Sequence, residues 1–88
     1  KVKILLNEIL YIESKREYVQ IVTSTNEYIS KIGTSELENM LPDDKFKRIH
    51  RSYIVAVSKI STYTKEYVEI NGRKIPIGKN FKKEFFTS

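Results

Sequence analysis

The chain has 88 residues, 40% hydrophobic and 31% charged, with a net charge of +5, no cysteine and a single histidine. That balance suits one globular domain with a modest core. It excludes a disordered chain and, because no apolar run approaches the roughly 20 residues required, a membrane-spanning helix. The missing cysteines exclude disulfides, thiolate zinc sites and a thiol nucleophile, and His50 alone cannot build a His-rich metal site or an acid–base pair of histidines.

The opening Lys1-Val2-Lys3-Ile4-Leu5-Leu6 is too short for a signal peptide and reads as a strand. The first residue is not Met, so a single domain over 1–88, excised from a longer protein, is expected. β-branched and aromatic residues recur, with only three Gly and two Pro between them, which predicts mostly short strands. The first three fall at 4–6, 9–13 and 18–23. In the third, Val19, Ile21 and Thr23 share one face and Tyr18, Gln20 and Val22 the other. Thr25-Asn26 turns the chain into a strand over 28–32, with Ile29 opposite Val22.

One short helix is predicted over 35–41. Ser35 and Glu38 have capping-box spacing, Thr34 competes as N-cap, Leu37, Met40 and Leu41 form a core-facing stripe, and Pro42 stops the helix. Asp43-Asp44 reads as a solvated turn. A strand region is expected over 55–61. Asn71-Gly72 then signals a type I′ hairpin, whose two-residue turn sets Ile70 opposite Arg73, Glu69 opposite Lys74 and Val68 opposite Ile75. Val68, Ile70, Ile75 and Ile77 share its buried face, and Pro76 marks its second strand as an edge. Phe81, Phe85 and Phe86 suit a short C-terminal helical turn.

The basic residues are segregated. Residues 1–44 carry five Lys/Arg against eight Asp/Glu, a balance of −3, whereas 45–88 carry eleven against three, a balance of +8. Such asymmetry suggests a polyanionic partner for the second half. The densest basic segment is Phe46-Lys47-Arg48-Ile49-His50-Arg51-Ser52-Tyr53-Ile54-Val55. Three polar loops flank apolar strands: Lys15-Arg16-Glu17-Tyr18, His50-Arg51-Ser52 and Gly78-Lys79-Asn80. Taken singly each is most simply a solvated loop. Together they suit nucleic-acid binding, because each carries a long cation and two add a side chain able to hold a base edge. Tyr53, Tyr63 and Tyr67 sit at strand positions that favour packing over base stacking.

An enzyme is not expected. A lone His within a basic run is a poor general base, and no Gly-rich phosphate loop, zinc motif or nucleotide fingerprint appears, so neither metal nor cofactor is called for. Carboxylate pairs of the glycosidase kind stay open at this point. So do a small-barrel binder of single strands and a basic protein-interaction module.

The segments Ile9-Leu10-Tyr11-Ile12-Glu13-Ser14, Glu17-Tyr18-Val19, the helix ending in Leu41-Pro42, the basic segment through Val55, and Ile75-Pro76-Ile77-Gly78-Lys79-Asn80-Phe81 occur in an order and at spacings that resemble the LytTR-type DNA-binding domain. That domain is the output module of many bacterial two-component response regulators. The likeness covers nearly the whole chain. It departs at Ala56, where the family often has Asn.

The resemblance implies an elongated, mostly β fold of about ten short strands with little helix. It implies that loops, not a recognition helix, enter double-stranded promoter DNA, at repeated sites occupied by pairs of copies. An upstream receiver or sensor domain, a cytoplasmic location and no membrane contact are expected with it. Carried onto this sequence, Lys15, Arg16 and Tyr18 belong to the first contacting loop, His50, Arg51 and Ser52 to the second, and Lys79 and Asn80 to the third. Arg51 is the first candidate for base readout and Lys79 the second, with Asn80 assisting. Lys15, Arg16, Lys82 and Lys83 are assigned to phosphates, and His50 either to a phosphate or, in preference, to bracing its own loop by hydrogen bonds.

Overall fold

Two antiparallel sheets share one hydrophobic cluster in the computed structural model, which describes residues 3–83. The described residues form eight strands: β1 (Ile9–Ser14), β2 (Val19–Thr23), β3 (Glu27–Ser30), β4 (Phe46–His50), β5 (Tyr53–Ala56), β6 (Thr62–Tyr63), β7 (Tyr67–Ile70) and β8 (Arg73–Pro76). A single α-helix, α1 (Thr34–Met40), lies between β3 and β4. The first sheet has the order β3-β2-β1-β5-β4 and the second β6-β7-β8. The molecule is elongated, 37 × 23 × 22 Å, as the family resemblance implies, with eight strands among the described residues where that resemblance implies about ten. Among the described residues no helix is long and apolar enough to cross a membrane.

β1 lies at the centre of its sheet, so both of its faces are covered and it buries Ile9, Leu10, Tyr11 and Ile12 in succession. A register shift between Ile9 and Tyr11 turns Leu10 and Tyr11 toward the same cluster. That cluster joins Ile49 and Val55 to Val68, Ile70, Ile75 and Ile77 of the hairpin. The opposite face buries Ile12, Val19, Phe46 and Ile54 beneath Leu37 of α1. The hairpin has the expected register at all three pairs. Its turn residues Asn71 and Gly72 have φ of 53° and 83°, which a type I′ turn requires. β8 is an edge strand, which accommodates Pro76.

Four local expectations are corrected. Residues 4–6 form no strand: Leu5 and Leu6 are exposed, and the N–H of Glu8 bonds to the Leu5 carbonyl in a 3-10 turn over Leu6–Glu8. The strand expected through 61 ends at Ala56, and a 3-10 turn over Val57–Lys59 carries the chain from the first sheet to the second. Ile29 faces Gln20 and is exposed, while Val22 faces Glu27. The Thr23 hydroxyl causes this: it accepts the Asn26 N–H at 3.0 Å and donates to the Asn26 carbonyl at 2.9 Å, closing a tighter turn. Helix α1 is capped at Gly33 without a side-chain bond, and Met40 is exposed. Ser35 and Glu38 do not form the expected box, because the helix begins at Thr34 and places Ser35 inside its first turn; both side chains bond to Arg48 instead. Of the C-terminal turn, Phe81 ends a 3-10 turn over Lys79–Phe81, whereas Phe85 and Phe86 lie outside the described residues.

Candidate nucleic-acid interface

The three polar loops meet at one end of the first sheet. The N–H of Lys15 bonds to the Tyr18 carbonyl at 2.8 Å, closing the β1–β2 turn. The neighbouring Ser14 N–H reaches the Ser52 carbonyl at 2.7 Å, which ties this turn to the β4–β5 turn. On its other side, the Gly78 N–H reaches the Ile49 carbonyl at 2.6 Å and ties the Lys79-Asn80 loop to the end of β4. His50-Arg51-Ser52 is therefore the middle loop of three. Gly78 is there for closeness, not for its φ of −66°. A Cβ added to it would stand 3.0 Å from Phe81 Cδ2 and 3.3 Å from His50 Cα.

Within the middle loop, a register shift between Arg48 and His50 breaks the β4–β5 ladder. The Ser52 N–H donates to His50 Nδ1 at 3.0 Å. That nitrogen must be unprotonated to accept, so the neutral ring carries its hydrogen on Nε2. The imidazole stands edge-on to Tyr53, with centroids 5.5 Å apart. His50 thus braces its own turn. The tip belongs to Arg51, which is exposed.

Charges at this end are partly cancelled from within. Glu13, at the end of β1, accepts the Tyr53 hydroxyl at 3.2 Å and pairs with Lys15 at 3.3 Å and Arg73 at 3.7 Å. Arg73 also lies 5.4 Å from the centre of the Tyr11 ring. Burial raises the Tyr11 phenol above its ordinary pKa, against the pull of Arg73 and with the help of Glu13. Burial works against the Arg73 charge, but Tyr11, Tyr53 and Glu13 outweigh it and hold the guanidinium more firmly protonated.

Of the predicted contact residues, Lys15, Arg16, Tyr18, Arg51, Lys79 and Asn80 are exposed on the three loops, and His50 and Ser52 are half-buried between them. Among the described residues no ion pair engages Arg16, Arg51 or Lys79. Lys82 is paired with Glu66 at 3.2 Å, and Lys83 is exposed just beyond it. Lys31 was not singled out from sequence. It joins Lys15, Arg16 and Thr34 in lining a cleft of about 280 Å3 beside the first loop. Glu13 and Arg48 were likewise passed over, although the i, i+2 spacing of Arg48 from Phe46 marks it as facing inward with that residue. Among the described residues no group of three His, Asp or Glu side chains is placed to hold a metal ion.

Comparison with known proteins adds a family. The family model of the LytTr DNA-binding domain matches residues 1–88. A response regulatory protein of Vibrio cholerae is 29% identical over 85 residues, covering 86% of this chain and 33% of that protein. The CO-responsive transcriptional regulator RcoM of Rhodospirillum rubrum is 33% identical over 57 residues, covering 65% of this chain and 24% of the regulator. The chain thus spans a third or less of the curated relatives it matches. A solved LytTr DNA-binding domain from Bacillus cereus superposes with a TM-score of 0.86 at 24% identity, over 96% of this chain and 83% of that one, which establishes the likeness of fold.

Proposed function

The chain belongs to the LytTr DNA-binding domain family, and from that premise we propose that it serves transcriptional control, its three adjoining loops reading duplex DNA in a sequence-specific way. The observation that carries this is the pair of backbone bonds, Ser14 to Ser52 and Gly78 to Ile49, that lines the loops up side by side. Arg51, at the tip of the middle loop, reads a base edge, with the bidentate geometry that guanidinium offers to guanine. Lys79 is the second reader and Asn80 assists it. Lys15 and Arg16 meet phosphates on one flank, with Tyr18 packed beside them, and Lys82 and Lys83 meet phosphates on the other. Lys82 first leaves Glu66. His50 and Ser52 hold the middle loop. Phosphate contacts set register, and base contacts set sequence.

The 1–88 unit acts as one domain of a longer cytoplasmic regulator, with a receiver or sensor domain upstream and two copies on repeated promoter sites. Vibrio cholerae and Rhodospirillum rubrum relatives described as a response regulatory protein and a transcriptional regulator support that setting.

Selection of bound sequences from random duplex DNA is the test. A repeated motif is the expected result, and single strands of the same sequence should compete poorly. Arg51→Ala should then cost about 1–3 kcal/mol at one base pair of the motif and relax specificity there. An equal loss on scrambled sites would refute base readout by Arg51.

A further inference from the structure

Arg48 belongs to the densest basic segment of the chain, yet each nitrogen of its guanidinium is engaged within the protein. Its Nε donates to the His50 carbonyl at 3.3 Å and its Nη2 to the Arg51 carbonyl at 2.6 Å. Its Nη1 donates to Ser35 Oγ at 3.3 Å and pairs with Glu38 at 3.1 Å. The charge also lies 5.9 Å from the centre of the Phe81 ring. One side chain therefore joins two successive carbonyls of the middle loop to helix α1 and to the end of the third loop.

We propose that Arg48 is a positioning residue for base readout: it fixes the His50-Arg51 backbone so that Arg51 is presented in one conformation, and it does not itself meet DNA. This rests on the three-loop reading given above. The chemistry favours Arg for the task. A planar fork with five donors can serve two carbonyls, a hydroxyl and a carboxylate at once, whereas an ammonium offers three donors from one point. The setting favours an inward role as well. Only 18% of the Arg48 side chain is exposed, and all three nitrogens are already used. A loop held in its bound conformation before encounter has less to order on binding, and that difference appears in affinity for the correct site.

The test is a double-mutant cycle on the full chain, with Arg48→Lys, Arg51→Ala and the double variant measured against the selected site and a set of single-base substitutions. Arg48→Lys should weaken the selected site by about tenfold while leaving its salt dependence unchanged, since no phosphate contact is lost. In the Arg51→Ala background the same change should have little further effect, because the residue through which Arg48 acts is gone. Arg48→Gln, which removes the charge that lysine keeps, should likewise leave the salt slope unaltered; a change by about one unit would make Arg48 a phosphate contact and overturn the proposal. So would equal losses in the two backgrounds, which are what a general structural role produces. If Arg48→Lys fails to fold, Glu38→Gln at the exposed end of the clamp gives the milder form of the same pattern, and an additive result there counts against the proposal equally. Failure of the underlying reading looks different: the unaltered chain selects no motif, or Arg51→Ala alone leaves binding intact, and the Arg48 proposal falls with it.

Discussion

Gly78→Ala should injure both the fold and the recognition of DNA, for a reason set by three distances. The new methyl carbon would stand 3.0 Å from Phe81 Cδ2, 3.3 Å from His50 Cα and 3.4 Å from His50 Cδ2. The phenyl ring can yield only at the expense of its contact with the Arg48 guanidinium, 5.9 Å from its centre. The His50 backbone is equally constrained, being paired with Tyr53 across the β4–β5 ladder. Relief therefore comes from moving Gly78 away from β4, which stretches its 2.6 Å bond to the Ile49 carbonyl. Overpacking of this kind costs about 1–3 kcal/mol. The entropy that alanine removes from the unfolded chain returns about 0.4–1 kcal/mol, because the φ of −66° suits alanine. The difference of the two ranges is about 0–2.6 kcal/mol with its middle at about 1.3, or a fall in Tm of roughly 5–10 °C for a domain of this size. Urea unfolding and a thermal scan measure it, and binding to the selected duplex should weaken with it as the third loop leaves the second. Gly33→Ser is the matched control. Nothing lies within 4 Å of a Cβ at that position, and a serine N-cap should add a few tenths of a kcal/mol to stability. If Gly78→Ala were as stable as the unaltered chain, close approach would not be the reason for glycine there.

Three further outcomes can be measured. Gly72→Ala places a side chain at φ 83° and should cost about 1–2 kcal/mol by equilibrium unfolding, with Gly72→Asn milder, because Asn tolerates the left-handed region better. Glu13→Gln keeps an acceptor for the Tyr53 hydroxyl and removes the charge that pairs Lys15 and Arg73. It should tighten DNA binding at low salt, because a carboxylate that repels phosphate is removed from that flank; an unaltered affinity at low salt would mean that neither Lys15 nor Arg73 lies near a phosphate. Tyr11 supplies a pH dependence. Its folded pKa is raised above the ordinary 10.0, mainly by burial, so the unfolded chain loses this proton first as pH rises. The contribution is therefore present below about pH 10 and disappears as pH climbs through the folded value. Tyr11→Phe should flatten the alkaline fall in unfolding free energy relative to the unaltered chain.

What the sequence revealed follows from how local each signal is. The Asn71-Gly72 hairpin was legible to the residue, because a two-residue turn leaves one register and the alternation of Val68, Ile70 and Ile75 agrees with it. The turn after β2 was not, because its length depends on what the Thr23 hydroxyl bonds to. Leu5 and Leu6 have the composition of a strand but no neighbouring strand to pair with. The polar loops could be located as the ends of apolar runs. Their adjacency could not, since it depends on the Gly78–Ile49 bond between distant parts of the chain. A run of cations discloses its inward member only through strand alternation: Arg48, two residues from Phe46, shares that residue's face of β4, whereas Arg51 lies in the turn beyond it.

A reader made of loops must answer an entropic objection. Fixing the backbone of one residue costs about 1–2 kcal/mol, so three mobile loops ordered only on DNA would consume much of the binding free energy. Here much of that ordering is done during folding. The first loop is closed on itself and bonded to the second, the second is held by His50 from within and by Arg48 from beneath, and the third is bonded to β4. The same economy is visible in charge. Lys15 and Arg73 share Glu13 and Lys82 holds Glu66, while Arg16, Arg51 and Lys79 remain unpaired among the described residues. Of the lysines and arginines on the three loops only Arg16, Arg51 and Lys79 are without an ion pair among the described residues, and a phosphate contact carries no sequence information. On the proposed reading, discrimination comes from how firmly Arg51 and Lys79 are aimed, which would put the residues behind the loops, Arg48 and Gly78 above all, among those that affect which sequence is bound.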